Sequence, residues 1–313
     1  MADSRVALVT GAAGFAGRHL MRHLAAGGWA AVGTTHKKSP GPEQADFVYA
    51  NVESFQQLRS LLRKVSPGYV FHLAAITNPR HPRVFRTNVG GVVALLEAVK
   101  EASPLARVLV VGSDAQYGPQ ETLPTPESAP MHPINRYGRS KVLQETLALQ
   151  YARMAGLWIV CVRTFNYIGP GQLGGSLAAN IARQIASAER GGSPEIRVGD
   201  LTTWRDYTDV RDIVRAYFLA LECGQPGVVY NVGSGVSYSG QQLANLLSSR
   251  ARTAVSFKRD PALVRVNDVA ETRCDATLIR QTAGWTPCYS IEQTVEATLD
   301  YWRQELATES AMN

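Results

Sequence analysis

The segment Val6-Ala7-Leu8-Val9-Thr10-Gly11-Ala12-Ala13-Gly14-Phe15-Ala16-Gly17 decides how this chain is read. Val6–Thr10 is a short apolar run with the character of a strand, and Phe15–Ala26 keeps helical periodicity as far as Gly27-Gly28. Three glycines at spacing GxxGxxG join the two. The first suits a tight turn, the second lets backbone approach a pyrophosphate, and the third lets helix pack on strand. The helix N-terminus then presents free N–H groups and a positive dipole end to phosphates. Glycines alone are a weak signal. At the first strand-to-helix turn of a βαβ unit they favour a dinucleotide over a merely structural turn.

Beyond this turn the first half of the chain keeps alternating. Ala30–Thr34, Phe47–Ala50, Tyr69–Ala74, Arg107–Gly112 and Trp158–Thr164 read as strands. Phe55–Val65, Asn88–Ala102 and Tyr137–Met154 read as helices. Strands that alternate with helices pair in parallel through crossovers. The expected class is α/β, a Rossmann doubly wound parallel sheet with a smaller interleaved C-terminal substrate lobe. The rhythm changes after about Asn166, where Gly-rich turns punctuate the chain. One strong helix is expected there, Asp209–Glu222, capped by Asp209 and stopped by Gly224, followed by a strand at Val228–Val232. Residues 1–165 thus form the dinucleotide domain, with a return of about 206–235. Residues 166–205 and 236–313 form the substrate lobe.

Composition agrees with this class. A chain of 313 residues is long enough for about two domains. Charged residues make up 19%, below the usual ~25%, with 45% hydrophobic, so a disordered chain is ruled out. No apolar run approaches the ~18–20 residues of a membrane span. A strand begins almost at the first residue, so neither a signal peptide nor a membrane partner is expected, and the location expected is cytoplasmic. Cys161, Cys223, Cys274 and Cys288 form no CxxC pair and read as reduced thiols. The six histidines are scattered, and no metal is expected. The net charge is +6 without a basic run interleaved with aromatics, which favours a small polyanionic ligand over nucleic acid.

The end of the second strand bears on the cofactor. An acid there would bind the ribose hydroxyl of NAD. This chain has Thr34-Thr35-His36-Lys37-Lys38, whose basic character suits the 2′-phosphate of NADP, with NAD as the alternative. His36 and Lys37 are the candidates. Further along, Tyr137-Gly-Arg-Ser-Lys141 places a phenol and an ammonium on one helix face. The ammonium is expected to lower the phenol's pKa and ready it for proton exchange. Such a pair is common in surface helices. Here, though, a strand ends nearby at Val111-Gly112-Ser113, and strand C-termini face the ligand crevice. Ser113 would then hydrogen-bond the oxygen that Tyr137 protonates.

Gly11-Ala-Ala-Gly14-Phe-Ala-Gly17, His72-Leu-Ala-Ala75, Asn88, Ser113, Tyr137 and Lys141 together resemble the extended short-chain dehydrogenase/reductase family. The resemblance implies a Rossmann domain for NAD(P) and a lobe for a nucleotide sugar. It makes Tyr137 the acid/base, Lys141 its partner and a ribose ligand, and Ser113 a substrate hydrogen-bonder. It implies cofactor contacts from Gly11, Gly14, Phe15, Ala16 and Gly17, and from Leu73, Ala74 and Ala75 after the fourth strand. Asn88, Thr164 and the pair Asn51-Val52 complete that set. Asn51 stands where many members carry an aspartate. Arg163-Thr-Phe-Asn166-Tyr-Ile-Gly-Pro-Gly-Gln172 and Arg205-Asp-Tyr-Thr-Asp-Val-Arg-Asp212 are similar to the branch of GDP-mannose 4,6-dehydratases and GDP-4-keto-6-deoxy-D-mannose reductases. Tyr167 replaces the branch's usual histidine. By that resemblance Asn166, Arg205 and Arg265 hold the diphosphate and nucleotide of a GDP-sugar, Asp114 lines the substrate, and the chain forms a homodimer.

Local chemistry separates the activities of the branch. A 4,6-dehydratase removes a C5 proton, and by resemblance its base is a glutamate two residues after the Ser/Thr. Here that position is Ala115, which takes no proton. A reductase needs only a hydride donor and a proton donor. The expectation is NADPH-dependent reduction of the C4 ketone of GDP-4-keto-6-deoxy-D-mannose, or a close relative, to GDP-D-rhamnose. The alternatives are a dehydratase or epimerase with recycled NAD(P), and a non-enzymatic nucleotide-binding sensor.

Overall fold

The computed structural model describes residues 5–36, 47–264 and 269–312. Its centre is a seven-stranded parallel sheet. Six strands come from the first half: β1 (Val6–Thr10), β2 (Ala30–Thr35), β3 (Phe47–Tyr49), β4 (Tyr69–His72), β5 (Arg107–Val111) and β6 (Ile159–Thr164). The seventh, Val229–Val232, returns from the second half to pair with β6. From one edge the order is β3, β2, β1, β4, β5, β6, then Val229–Val232. The order reverses between β1 and β4, so a crevice opens there at the carboxyl ends of the strands.

Successive side chains of a strand face opposite ways, and each face feeds its own core. Ala7, Val9, Phe71, Leu109, Val160 and Val162 pack against α1 (Phe15–Ala26) and α6 (Val210–Cys223). Leu8, Val70, Val108, Val110, Ile159 and Cys161 pack against α2 (Phe55–Val65), α3 (Gly91–Ala102) and α4 (Arg136–Ala155). A third core joins α5 (Leu177–Ala188), α7 (Gly240–Ser248) and α9 (Ile291–Met312) through Ile181, Ile185, Leu243, Leu247, Val295 and Leu299. Around it run short strand pairs, among them Trp204–Asp206 between Ser237–Ser239 and Glu271–Thr272. α8 (Thr277–Ala283) packs back on the main sheet's core through Ile279.

Three details depart from the sequence reading. β4 stops at His72 rather than Ala74: the Leu73 N–H still meets the Thr10 carbonyl, but the Ala74 N–H turns to the Thr10 hydroxyl instead of to backbone. The helix expected from Asn88 opens instead with one π-helical turn, Arg86–Gly90. The stretch read as Gly-punctuated turn contains α5, whose Ala- and Ile-rich face is wholly buried and whose Ser176 cap receives the Ala179 N–H. The flanking Gly174-Gly175 and Gly191-Gly192 mask that periodicity.

One buried polar network ties these layers together. Arg163 on β6 and Glu145 on α4 form a two-pronged ion pair, at 2.6 and 2.9 Å, with side chains 6% and 4% exposed. Arg163 also donates to the Tyr117 hydroxyl and the Glu127 carbonyl. The Tyr117 hydroxyl in turn donates to Asn231 on the seventh strand. Glu145→Leu strands the guanidinium without its counter-charge and is expected to cost about 3–5 kcal/mol. Urea unfolding checks this. The double variant Glu145→Leu/Arg163→Met, which buries no charge, should recover most of the loss, and an unchanged midpoint in the single variant would refute the buried pair.

Candidate active site

β1 delivers the chain to the crevice at Gly11, which adopts φ +73°. A Cβ there would lie 2.7 Å from the Ala74 amide nitrogen, so only glycine fits both the turn and the approach of the loop after β4. A Cβ on Gly17 would collide with the Gly11 carbonyl and the Ala12 backbone, so α1 packs directly on the turn. α1 starts at a Gly14 cap that offers no side-chain acceptor, and its first turn carries no acid. Its first N–H groups and positive end therefore remain for an anion. The cradle has the shape and polarity a dinucleotide pyrophosphate needs, with Phe15 and Ala16 in that first turn.

The neighbouring loop is stitched to this turn. The Thr10 hydroxyl receives the Ala74 N–H at 3.3 Å and meets His72 Nδ1 at 2.8 Å. Burial first, and the Lys141 charge second, push His72 down to about 3, so its imidazole stays neutral. Leu73 and Ala74 face the glycine turn, with Ala75 following. Asn88 is wholly buried. Its carboxamide takes the Ile76 N–H and donates to the Ile76 carbonyl and to Ser140, so it clamps this loop to α4. Asn51 turns its oxygen onto the Glu53 N–H, and Val52 packs on Gly91. His36 is exposed at the end of β2. Lys37 lies outside the described residues.

The reacting end is built by β5 and α4. After Val111 the chain enters a 3₁₀ turn, Asp114–Gln116, with Ser113 as its cap. Gln116 bridges this turn to the buried network: its oxygen accepts the Ser113 N–H at 2.9 Å and its nitrogen donates to Glu145 at 2.8 Å. α4 starts at an Asn135 cap that receives the Gly138 N–H. Tyr137 and Lys141 follow one turn apart. A Cβ on Gly138 would collide with the Ala115 carbonyl, so this glycine brings the two elements into contact. Ser113 acts on the Tyr137 phenol to lower its pKa, against the larger opposing effect of burial. Thr164, at the end of β6, pairs its hydroxyl with Tyr217 at 2.9 Å.

One electrostatic expectation is corrected. The ammonium of Lys141 points back toward β5, donating to the Val111 carbonyl at 2.7 Å and to Gln144 at 3.0 Å. It lies 5.9 Å from the centre of the Tyr137 ring. Lowering of the phenol by this charge is therefore not what the arrangement produces. Burial raises Tyr137 well above its ordinary value and pulls Lys141 down to about 7.

On the substrate side, Asp114 accepts from Ser113 at 3.1 Å and from the Asn166 amide at 3.3 Å. Burial pushes its carboxyl up to about 6, against the Ser113 bond and the Arg205 charge. Arg205 sits on the strand Trp204–Asp206 and donates to the Trp204 carbonyl at 2.6 Å. Asp206, buried, accepts the N–H groups of Ser234, Gly235 and Cys274 and so anchors that strand. Arg265 lies outside the described residues. Tyr167 stacks on Phe15, with ring centres 5.7 Å apart and planes at 16°. The structure thus gathers Ser113, Asp114, Tyr137, Lys141 and Asn166 at one end of the crevice. Gln116, Gly138, Gln144 and Glu145 were absent from the sequence reading. Their one signal was helical spacing from Tyr137 for the residues on α4.

Residues 7–233 match the model of the NAD dependent epimerase/dehydratase family. The chain is 34% identical over 311 residues to the GDP-6-deoxy-D-mannose reductase of Pseudomonas aeruginosa, covering 96% of this chain and 98% of that protein. Among solved structures, RMD from Pseudomonas aeruginosa complexed with NADPH is similar with a TM-score of 0.85 and 31% identity, over 96% of this chain and 99% of that one. The UDP-glucose 4-epimerase of Thermotoga maritima with UDP-glucose is similar with a TM-score of 0.83 and 30% identity, over 96% and 99%.

The buried lysine makes a stability claim. Its folded-state pKa of about 7 lies below the ordinary 10.5, so the unfolded chain holds the proton more tightly. Stability from this group therefore rises with pH between about 7 and 10.5. Lys141→Met removes the cost of the buried charge. Its urea midpoint is expected to exceed the parent's below about pH 7, and the advantage should shrink as pH climbs through that window. An advantage independent of pH would contradict the burial argument.

Proposed function

The chain belongs to the NAD dependent epimerase/dehydratase family, and on that premise we propose that it reduces the C4 ketone of GDP-4-keto-6-deoxy-D-mannose to GDP-D-rhamnose, with NADPH as reductant. The observation that carries this reading is a proton-donating set, Ser113 with Tyr137 and Lys141, beside a turn that places a methyl group, Ala115, where a dehydratase needs a base. The likeness to a Pseudomonas reductase, and to a structure holding NADPH, supports it.

In this reading the pyrophosphate lies on the Gly11–Gly17 cradle, and His36 with Lys37 meets the adenosine end. When bound, the cofactor supplies the hydride. The protein's part is acid–base and positional. Tyr137 donates its phenolic proton to the C4 oxygen, whose charge Ser113 stabilises with its hydroxyl. Burial keeps the phenol protonated, so its proton is in place to be given, and a nearby charge or hydrogen-bond donor must stabilise the phenolate that results. Lys141 would hold the ribose of the bound cofactor and lend its charge to the phenol. Asn166 and Arg205, with Arg265, hold the diphosphate, for which a guanidinium is the natural fork. Residues 166–205 and 236–313 form the lobe that receives the nucleotide sugar, and residues 1–165 with 206–235 the dinucleotide domain. We also read the chain as a cytoplasmic homodimer joined through α3 and α4, without a nucleic-acid partner. Leu143, 46% exposed on α4, supports that face.

Mixing the protein with GDP-4-keto-6-deoxy-D-mannose and NADPH is expected to consume reduced nicotinamide and yield the 4-hydroxy sugar. Tyr137→Phe should cut turnover by about 10²–10⁴-fold while retaining cofactor binding. Conversion of GDP-mannose to the ketone, or a C4 epimer formed without net cofactor use, would overturn the reductase reading.

A further inference from the structure

The small sheet that carries Arg205 has a second face. Residues paired across neighbouring strands point the same way, and successive residues of one strand point opposite ways. Arg205 is in register with Tyr238 and Thr272, so these three share the face given above to the diphosphate. Trp204 is in register with Glu271, and Asp206 with Ser237. The other face therefore carries Trp204, Ser237 and Glu271, with Arg273 two residues further on. These four side chains and the loop Gly235-Val236 line an open hollow of about 430 Å³. Small-ligand sites span about 300–1,000 Å³. The loop wall is fixed: buried Asp206 accepts the Ser234 and Gly235 N–H groups at 2.9 and 2.8 Å, and Arg280 of α8 donates to the Ser234 carbonyl at 2.9 Å. The charged wall is aimed but unspent. Glu271 Oε1 takes the Ser237 hydroxyl at 2.6 Å, which orients the carboxylate. Arg273 Nε stands 3.7 Å from that oxygen, too far for a hydrogen bond, and among the described residues this buried nitrogen has no hydrogen-bond partner. Beside this pair the Trp204 indole is 39% exposed.

We propose that this hollow binds the base of a free guanine nucleotide, at a site separate from the crevice where the ketone is reduced. An open indole face offers stacking to a planar ring. The neighbouring carboxylate calls for two adjacent donors on that ring, and the guanidinium beside it calls for acceptors next to them. Guanine carries that edge. Its N1–H and N2 amino group donate to Glu271, and its O6 and N7 accept from the fork of Arg273. Adenine presents a donor, its N6 amino group, where guanine has the O6 acceptor, and so sets an amine against the guanidinium. The opposite charges of Glu271 and Arg273 offset each other, so selection rests on the order of donors and acceptors rather than on net charge. This site goes beyond the reductase reading and does not rest on it.

Titrating the protein with GMP, in the absence of cofactor and sugar, is expected to quench tryptophan emission to a plateau. Trp204→Phe should remove that quenching. Glu271→Gln keeps the indole reporter and should weaken GMP binding by on the order of tenfold. IMP lacks the N2 amino group and should bind weaker than GMP by a similar factor of roughly ten, and AMP should give no plateau. Arg205→Met, which removes a diphosphate holder on the opposite face, should leave the GMP response intact. The proposal is overturned by equal responses to GMP, IMP and AMP, by a GMP response that Glu271→Gln leaves untouched or Arg205→Met removes, or by no saturable quenching at all. No ketone enters these titrations, so their failure leaves the reductase reading standing. A protein that reduces no ketone would in turn leave the GMP titration interpretable on its own.

Discussion

The site depends on a charge pair placed where charges are expensive. Arg163 and Glu145 are almost fully shielded from water, and removing water from two ions costs several kcal/mol each before their attraction offsets it. The balance holds because their remaining valences are used by Gln116, Tyr117 and Glu127. The consequence is geometric. Glu145 lies eight residues along α4 from Tyr137, on the same face, and Gln116 lies three residues from Ser113. The pair therefore fixes the distance between the two groups that would handle the proton. Exchanging it for apolar packing would keep the fold but release that register.

A second constraint links the two ends of the crevice. α1 begins at the glycine cradle, and its second turn grips the segment after β6: Arg18 donates to the Gly171 carbonyl at 2.8 Å, and His19 meets the Pro170 carbonyl at 2.8 Å. Phe15 stacks on Tyr167 between them. Gly169 and Gly171, both at positive φ, allow the segment to fold onto the helix. An anion that orders the N-terminus of α1 thus acts on the same rigid body that carries Asn166 and Tyr167. Burial holds His19 below its ordinary pKa, against the pull of its bond to the Pro170 carbonyl.

Much of this was legible in the chain. The GxxGxxG turn, the six strands before residue 165 and the Tyr137/Lys141 spacing are local patterns, set by glycine sterics and by periods of 2 and 3.6 residues. α1 and α2 were readable to the residue because a glycine pair marks the end of the first and apolar residues at helical spacing run through the second. α5 was not, because its signal is an alanine-rich face whose burial depends on α7 and α9, far away in sequence. Gln116, Gln144 and Asn88 were also beyond reach in their actual roles. An amide's partners are chosen by tertiary placement, and Asn88 shows this most clearly, since it bonds both the N–H and the carbonyl of Ile76 and the Ser140 hydroxyl. The direction of the Lys141 side chain failed for the same reason. Helical spacing puts it on the face of Tyr137, but the free carbonyl of Val111 decides where the ammonium rests.

Burial shifts two charged groups near the reacting end in opposite directions. It draws Lys141 down to about 7 and lifts Asp114 up to about 6, so at neutral pH the ammonium is about half formed while the carboxyl is mostly ionised. An ionised Asp114 would repel a diphosphate and compete with it for Arg205, whose charge already favours the carboxylate. A fully charged Lys141 would need a counter-ion in a space where Val111 and Gln144 offer only dipoles. A bound dinucleotide would change that balance, since its ribose hydroxyls and phosphates are stronger partners for an ammonium than the dipoles of Val111 and Gln144.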